Sequence, residues 1–254
     1  MAVKGAQPVA ITDCLNLGNP EDPAVMWQLE ECVKGLVDGC RGLGTPVTGG
    51  NVSLYNQTGY QNILPTPVIG MLGVLDDVQL TNKMAFANAG DRILMLGITW
   101  DEFGGSVYED VMYDGHLGGL PPFPNFGAER AIGAVMQEAA QRRLVSSAHD
   151  LAEGGLAEAL IECCLASGLG ATIDVPEEYE PATFFFSETS ARVIVSLPEA
   201  RLQAFSELCN RFEVPFTDIG HVSSKPRILV KEMFALSLDK LREAHESTLP
   251  AALA

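Results

Sequence analysis

The amino-acid sequence predicts a mixed α/β fold with some α+β character, organised as two domains over residues 1–89 and 90–254. Three observations support this prediction. Short apolar runs typical of strands alternate with amphipathic helical patterns along the chain. A polar stretch without periodicity, Asp76–Gly90, separates two such series and is interpreted as a linker. The 254 residues, 47% of them hydrophobic, suffice for one large core or two small ones.

The first domain begins with a predicted strand, Val9–Asp13. Asp22-Pro23 then marks the start of a helix, because Asp is a favoured N-cap and Pro a favoured first residue. Apolar residues recur behind it at three- and four-residue spacing as far as Gly44, a typical C-terminal signal. Two further strands are predicted near residues 46–54 and 66–75, with a polar loop between them.

The second domain begins with a predicted strand at residues 92–98. A Gly- and Pro-rich stretch follows at 104–124 and is long enough to be a functional loop. Helices and strands then alternate to the end of the sequence. The predicted helices lie near 127–143, 153–167, 199–211 and 234–246, and the predicted strands near 144–148, 170–175, 191–197, 214–222 and 226–231.

The composition narrows the classes of partner. The chain has 16 Lys and Arg against 33 Asp and Glu, a formal net charge of −17, so a broad nucleic-acid surface is not expected. Any phosphate should instead be held locally, by backbone amides, a metal ion or cations from elsewhere. The six cysteines form no CxxC pair, which argues against a zinc site or a disulfide framework. We see neither a signal-peptide pattern nor an apolar run of about 20 residues, and expect a cytoplasmic protein without a membrane partner.

The segment Gly49-Gly50-Asn51-Val52-Ser53 is the most informative for function. Two glycines allow close approach of backbone to a phosphate, while Asn51 offers an oxygen ligand and Ser53 a hydroxyl donor. This chemistry fits a nucleotide and metal site. The same residues also fit a Gly-Gly bulge that opens a strand, and their spacing does not separate the two interpretations.

A second candidate is Asp13, which lies at the end of the predicted first strand. Ligand-binding groups often project from strand ends in α/β sheets, so its carboxylate could hold a base, a ribose or a metal-bound water. An Asx turn before Asn19-Pro20 is the structural alternative.

Two later segments could contact an anion. Ser147–Leu156 joins a strand to a helix whose first turn contains two glycines, but Asp150 and Glu153 also have the spacing of a capping box. His149 in this segment is interpreted as structural. Ser187–Ser190 with Arg192 could form a phosphate-facing turn, or a strand entry with a surface ion pair.

The second half of phosphoribosylformylglycinamidine synthase is the part of a known family that this sequence resembles. The resemblance rests on five segments in order, TDCLNLGNPEDPAVMW, GTPVTGGNVSLYN, TPVIGMLGVLDD, AHDLAEGGLAEAL and SETSARVIVS, and extends from residue 1 to the end. It implies the second copy of a tandem architecture similar to aminoimidazole ribonucleotide synthetase. Residues 1–89 would then be a partial N-terminal sheet domain, and residues 90–254 the C-terminal α/β domain.

The resemblance implies a role in de novo purine synthesis. The family converts formylglycinamide ribonucleotide, ATP and glutamine-derived ammonia into formylglycinamidine ribonucleotide, ADP and phosphate. The implied cofactors are therefore ATP and Mg²⁺. The implied partners are the N-terminal half of the synthase, a glutaminase subunit and a small accessory subunit.

Matched residue by residue, the resemblance implies that Asp13 and Gly50 contact ATP, that Asn51 is a magnesium ligand and that Ser53 contacts the ribonucleotide. An Asn oxygen suits the hard Mg²⁺ ion. The family's catalytic histidines and most of its acidic magnesium ligands belong to the first half of the synthase. We therefore assign no catalytic residue, and expect this chain to be a carboxy-terminal part that is inactive alone.

The resemblance is weaker at Ser187-Glu188-Thr189, which departs from the Gly-Glu-Ser pattern of the family's ribonucleotide site. A second working active site is therefore not expected, although an auxiliary nucleotide site near Asp150 stays open. Two other functions also stay open. One is a structural or interaction module with an inert nucleotide site; the other is another ATP-binding protein of the superfamily, such as aminoimidazole ribonucleotide synthetase, selenophosphate synthetase or thiamine-phosphate kinase.

Overall fold

The chain divides into two compact units in the computed structural model, which describes residues 1–116 and 118–253. One unit contains Met1–Ala2 and Ala6–Asp76, and the other contains Val3–Gly5 and the chain from Asp77 onward. The boundary thus precedes the predicted division into 1–89 and 90–254. The stretch interpreted as a linker packs with the second unit, because Phe86 is buried in that unit's core.

The first unit contains a three-stranded sheet and one long helix. In chain order its elements are β1 (Gln7–Asn16), α1 (Pro23–Leu43), β2 (Val47–Ser53), β3 (Gln57–Thr58), β4 (Gln61–Asn62) and β5 (Thr66–Val74). The sheet order is β2-β1-β5, with β1 parallel to β2 and antiparallel to β5. The short strands β3 and β4 form a hairpin of their own.

Helix α1 begins and ends where the sequence predicts. The Asp22 carboxylate accepts a hydrogen bond from Ala24 N at 2.9 Å, and Pro23 occupies the first turn. Gly44 takes a left-handed φ of 71° and donates its N–H to Cys40 O, which ends the helix. Along its length, Val25 and Leu29 pack with Leu15 of β1. The helix therefore covers one face of the sheet.

Successive side chains of β1 point alternately to the two faces of this sheet. Ile11 and Leu15 are buried, and Leu15 packs against α1, so the odd-numbered residues point toward the helix. We call this the α1 face. Thr12, Cys14 and Asn16 lie on the opposite face.

The second unit is built on a seven-stranded sheet. In chain order its elements are β6 (Arg92–Leu96), α2 (Val107–Met112), α3 (Phe126–Gln141), β7 (Ser147–Asp150), α4 (Gly155–Ser167), β8 (Gly170–Ile173), α5 (Pro181–Phe186), β9 (Val193–Leu197), α6 (Leu202–Arg211), β10 (Phe216–Ser223), β11 (Arg227–Val230), β12 (Phe234–Ser237) and α7 (Leu238–Leu253). The sheet order is β12-β11-β8-β10-β6-β9-β7. Only the pair β8 and β11 is parallel among the described strands of this sheet.

Two hydrophobic cores lie on the two faces of this sheet. Ile93 and Met95 of β6 belong to a core shared with α4 and α5, whereas Leu94 and Leu96 belong to one shared with α3 and α6. All four side chains are fully buried. The unit is therefore a three-layer α/β/α arrangement, which confirms the predicted fold class.

Two parts of the predicted element order were wrong. The predicted helix at 234–246 begins as strand β12, which pairs with β11, and becomes helical only at Leu238. The left-handed Glu232, with a φ of 60°, turns the chain between these strands, and no Gly marks the turn. The Gly- and Pro-rich loop contains the short helix α2, and helix α5 was not predicted. Among the described residues, no helix combines the length and the apolar character required to cross a bilayer.

Candidate functional site

The parallel pair of β1 and β2 brings together the four site residues indicated by the sequence. In the register of this pair, Asp13 lies opposite Gly50, Cys14 opposite Asn51, and Asn16 opposite Ser53. Residues opposite one another in a sheet share a face. The four residues therefore lie on adjacent strands but divide between the two faces: Asp13 and Gly50 on the α1 face, Asn51 and Ser53 on the opposite face.

Asp13 and Gly50 are in close contact. A methyl group on Gly50 would lie 2.7 Å from Asp13 Cγ and would overlap the Asp13 carbonyl oxygen, so only glycine fits this position. The neighbouring Gly49 is different, because a methyl group there would meet nothing within 4 Å. The lack of a side chain at Gly50 thus allows Asp13 of β1 to lie close to β2, whereas the space beside Gly49 is open.

The strand irregularity lies just before the glycine pair. Ile11 pairs with Val47 and Thr12 pairs with Gly49, so Thr48 is the extra residue, and its hydroxyl donates to Ile11 O at 3.2 Å. A bulge in β2 is therefore present, as the structural alternative proposed, but it precedes the glycines. The Asx turn proposed for Asp13 is absent from the described structure, since Asp13 is a strand residue. Asn19 forms such a turn instead, accepting from Glu21 N at 2.9 Å.

Asn51 and Ser53 differ in how far their side chains are engaged. Asn51 is exposed, and its side-chain amide makes no hydrogen bond within residues 1–116 and 118–253. Ser53 Oγ lies 3.0 Å from Asn56 Nδ2, which also donates to Leu17 O and Ser53 O. Asn51 therefore offers a free oxygen ligand, whereas part of the Ser53 hydroxyl's capacity is used by its own loop. The sequence indicates a polar loop after β2, but its local pattern does not show that Asn56 holds this loop together.

The glycine-rich start of α4 is held by a side chain distant in sequence. The N-cap residue Gly154 has a φ of 73° and no side-chain cap, so the predicted capping box of Asp150 and Glu153 was wrong. Instead, Glu188 Oε1 accepts from Gly154 N and from Val107 N, both at 2.9 Å. A carboxylate of the chain thus occupies a position that an anion would need at this helix start.

His149 forms an ionic cluster on the edge strand β7. Its Nε2 lies 2.7 Å from Glu162 Oε2, and its Nδ1 lies 3.4 Å from Asp150 Oδ1. Asp150 and then Glu162 raise the pKa of His149 against the opposing effect of burial. In turn, the His149 partner lowers the pKa of Asp150 to about 2. This arrangement agrees with the structural interpretation of His149.

Arg192 is an interior residue, not a member of a surface ion pair. Its side chain is 2% exposed and donates to the carbonyl oxygens of Ser187 and Thr189 and to Thr99 Oγ1. Burial lowers the pKa of its guanidinium to about 10. The guanidinium therefore fixes the turn before β9. These residues do form the predicted entry to a strand, but the surface ion pair and the phosphate-facing turn were both wrong, because the cation is used internally.

Within residues 1–116 and 118–253, no group of three or more His, Cys, Asp or Glu side chains is arranged to hold a metal ion. Asn51 could therefore supply one oxygen ligand to a metal but not a complete coordination shell. Mg²⁺ is commonly bound in this way, with few protein ligands beside phosphates and water.

Two family models match the chain. The AIR synthase related protein, C-terminal domain, matches residues 88–231, and the AIR synthase related protein, N-terminal domain, matches residues 1–75. The N-terminal model thus covers most of the first structural unit, and the C-terminal model covers most of the second.

Curated relatives match over the whole chain. Phosphoribosylformylglycinamidine synthase subunit PurL of Cutibacterium acnes is 55% identical over 253 residues, which is 100% of this chain and 34% of the relative. The subunit of the same name from Streptomyces coelicolor is 49% identical over 254 residues, with the same shares. The chain thus spans about a third of the length of these relatives.

Solved structures share the fold. Thermotoga maritima PurL complexed with FGAR matches with a TM-score of 0.74 and 19% identity, covering 94% of this chain and 40% of that chain. Thermotoga maritima PurL complexed with ATP matches with a TM-score of 0.70 and 18% identity, covering 94% and 38%. At such identities the likeness shows the fold alone.

Proposed function

The chain belongs to the AIR synthase related protein family, and on this basis we propose that it is one part of an ATP-dependent ligase that makes formylglycinamidine ribonucleotide. The observation that carries the proposal is the 55% identity to a phosphoribosylformylglycinamidine synthase subunit along the entire chain. The reaction joins glutamine-derived ammonia to formylglycinamide ribonucleotide at the expense of ATP. Because the chain spans only a third of that subunit, the catalytic groups would come from the remainder.

In this proposal, Asn51 and Ser53 act on the face of the sheet opposite α1. The Asn51 amide oxygen would be one ligand of Mg²⁺, which suits its exposure and its freedom from internal hydrogen bonds. Magnesium, when bound, neutralises charge on the transferred phosphoryl group. The Ser53 hydroxyl, two residues beyond Asn51 and on the same face, would donate to the ribonucleotide.

Asp13 and Gly50 are proposed to contact the same ATP whose phosphates the Mg²⁺ at Asn51 would neutralise. Gly50 directly precedes Asn51 in β2. Gly50 lets the Asp13 carboxylate lie over β2, while open space beside Gly49 leaves the strand backbone accessible to a phosphate.

The proposed partners are the remaining part of the synthase subunit, a glutaminase subunit and a small accessory subunit. A cytoplasmic location belongs to the same proposal and is supported by the six free cysteines. These partners would correspond to an assembly such as PurLQS from Thermotoga maritima, a structure with the same fold.

A chimera tests the function directly. This chain would replace the corresponding third of the Cutibacterium acnes subunit, and product formation would be measured with formylglycinamide ribonucleotide, ATP, Mg²⁺ and ammonium. We expect the chimera to turn over and this chain alone to give no product. A folded chimera without turnover would refute the ligase assignment.

Variants of Asn51 test the metal role within the chimera. Asn51→Leu removes the oxygen ligand and should raise the Mg²⁺ concentration required for half-maximal rate, whereas Asn51→Asp keeps an oxygen ligand and should not. Gln61→Leu, which removes an exposed amide from the same unit, is the control. Equal magnesium dependence in all three variants would remove Asn51 from the metal site and would favour the alternative of a structural module.

A further inference from the structure

The carboxyl ends of β1 and β2 lie side by side, because the two strands are parallel. Asn16 is the last residue of β1, and Ser53 is the last residue of β2. The two residues are opposite one another in the register of the pair. Ser53 is proposed above to contact the ribonucleotide. Asn16 has no role in that proposal, although it lies beside Ser53 on the same face of the sheet.

The side-chain amide of Asn16 is held through its NH₂ group. Its Nδ2 donates to Cys14 O and to Thr66 O, both at 3.3 Å, and lies 3.5 Å from Cys14 Sγ. The reversed amide would place Oδ1 against two carbonyl oxygens, which accept hydrogen bonds and do not donate them. These contacts therefore determine which end of the amide is the NH₂ group and which is the oxygen.

The oxygen end of the Asn16 amide is free. Within residues 1–116 and 118–253, Asn16 Oδ1 accepts no hydrogen bond, and the residue is half-buried. The neighbouring Ser53 hydroxyl donates to Asn56 Oδ1 at 3.2 Å and so stays within its own loop. An amide oxygen can accept two hydrogen bonds. Asn16 therefore presents an oriented, uncharged acceptor whose whole capacity is available to a ligand.

The surface around Asn16 is polar but uncharged. Its face on β1 and β2 includes the side chains of Thr12, Cys14, Asn51 and Ser53. None of these is a Lys, Arg, His, Asp or Glu. Phosphate groups are held by cations and N–H donors, and an amide oxygen repels their oxygen atoms. Asn16 Oδ1 therefore favours the part of a ligand that carries O–H or N–H donors and no negative charge.

The chain just beyond Ser53 is strained. Tyr55 has a φ of 59°, a left-handed value that bulky residues rarely adopt. Backbone hydrogen bonds impose this conformation, because Tyr55 N donates to Gly18 O at 2.8 Å and Asn56 N donates to Leu17 O at 3.2 Å. Strain of this kind gathers at ligand-binding sites, where the surrounding structure holds the backbone in place. The end of β2 therefore carries a second, independent mark of a binding site.

We propose that Asn16 is a further ribonucleotide-binding residue, whose Oδ1 accepts a hydrogen bond from a ribose O–H or an amide N–H of the ribonucleotide. This inference rests on the function proposed above. Along β2, the proposed contacts run from ATP at Gly50 through Mg²⁺ at Asn51 to the ribonucleotide at Ser53. Asn16 lies opposite the last of these. Its loss should therefore affect the ribonucleotide and not ATP or Mg²⁺.

Kinetics of the chimera described above separate this role from a structural one. Asn16→Leu keeps the size of the side chain but removes Oδ1, so the KM for the ribonucleotide should rise roughly two- to twelvefold, as for one neutral hydrogen bond. The ATP and Mg²⁺ concentrations for half-maximal rate should not change. Gln57→Leu is the control, because it also removes an amide whose NH₂ donates to a backbone oxygen, Gly59 O at 3.0 Å. If Asn16→Leu shifted all three dependences together, or none of them, Asn16 would be a structural residue only.

Calorimetric binding of the ribonucleotide to the chimera makes the result independent of turnover. A chimera with Asn16 intact that bound the ribonucleotide without turnover would refute the ligase function alone. Weaker binding by Asn16→Leu would then still support the role of Asn16, and equal binding would overturn it. If the chimera with Asn16 intact did not bind the ribonucleotide, both proposals would be overturned.

A 2′-deoxy analogue of the ribonucleotide identifies the donor group. If the donor is the ribose 2′-hydroxyl, Asn16→Leu and the chimera with Asn16 intact should bind this analogue equally. If the donor is another O–H or an amide N–H, the difference between the two proteins should persist with the analogue. Either result supports an acceptor at Asn16, provided that Asn16→Leu weakens binding of the ribonucleotide itself; without that loss the inference is wrong.

Discussion

Gly50 and Asp13 face each other across β1 and β2 so closely that a methyl group on Gly50 would lie 2.7 Å from Asp13 Cγ. Gly50→Ala should therefore force the parallel strands apart. We expect a loss of about 1–3 kcal/mol in the free energy of unfolding, as for overpacking elsewhere. The measurement is urea unfolding followed by circular dichroism, with the transitions of the two units fitted separately.

The adjacent glycine supplies the control for this prediction. A methyl group on Gly49 would meet nothing within 4 Å, and Gly49 has no left-handed φ. Gly49→Ala should change stability by less than about 1 kcal/mol, and a gain is expected because alanine restricts the unfolded chain. If both variants were equally destabilised, the close contact with Asp13 would not be the cause of the loss.

Glu188 should keep the first turns of helices α2 and α4 structurally ordered. Its Oε1 accepts from Val107 N and Gly154 N, so Glu188→Ala leaves both donors without this acceptor. We expect faster hydrogen exchange at these two amides and a loss of about 1–3 kcal/mol in stability. Glu188→Gln keeps an oxygen acceptor and should be milder. The exposed Glu153→Ala should leave both amides protected, and equal exchange in all variants would disprove the link.

The ionic cluster at His149 should make stability depend on pH. The folded-state pKa of His149 is raised above the ordinary histidine value of about 6.5, so its contribution to stability is complete below that pH. The contribution is lost as pH rises through the folded pKa. Glu162→Gln weakens the 2.7 Å contact, so it should destabilise the protein more at about pH 6 than at about pH 9.

The exposed Glu178→Gln provides the comparison for this pH dependence. It removes one negative charge without touching His149, so its effect should be small at both pH values. Titration of the His149 ring signals by NMR gives a direct test, because Glu162→Gln should lower the apparent pKa. An unchanged His149 pKa would show that Asp150 alone sustains the shift.

Arg192 should not tolerate replacement by lysine. Its guanidinium donates to three acceptors in fixed directions, and a lysine ammonium cannot reproduce this planar fork. Arg192→Lys should cost about 2 kcal/mol or more, since hydrogen bonds from charged groups contribute about 1.5–3 kcal/mol each. Arg227→Lys, at an exposed position of β11, should be close to neutral. If the two variants had similar melting temperatures, the guanidinium of Arg192 would not be what fixes the turn before β9.

Local signals made much of the fold predictable. The limits of α1 follow from Asp22 and Gly44, because caps act within one turn of the helix that they end. Strand β12 escaped prediction for the opposite reason. Its residues Phe234–Ser237 are strand only because β11 lies beside them, and the turn at Glu232 contains no glycine to announce it.

The candidate site shows a similar limit. In the sequence, Asp13 and Gly50 belong to two separate motifs. Only the register of β1 with β2 shows that the two residues are in contact and that Asn51 lies on the other face of the sheet. Likewise, Glu188 is 34 residues from Gly154 and 81 from Val107, so no local spacing could associate them. Contacts of this kind depend on the topology of the sheet, which periodicity does not specify.

Strand β6 is translated long before the two strands that flank it in the sheet. This strand ends at Leu96, yet its sheet neighbours, β9 and β10, begin only at Val193 and Phe216. During translation, about 100 further residues are therefore synthesised before either neighbouring strand can pair with its four apolar residues. The first unit, whose last strand ends at Val74, can assemble during that interval. Nascent chains should thus expose an unpaired apolar strand long enough for chaperones to bind it, and slower translation between β6 and β9 should increase aggregation.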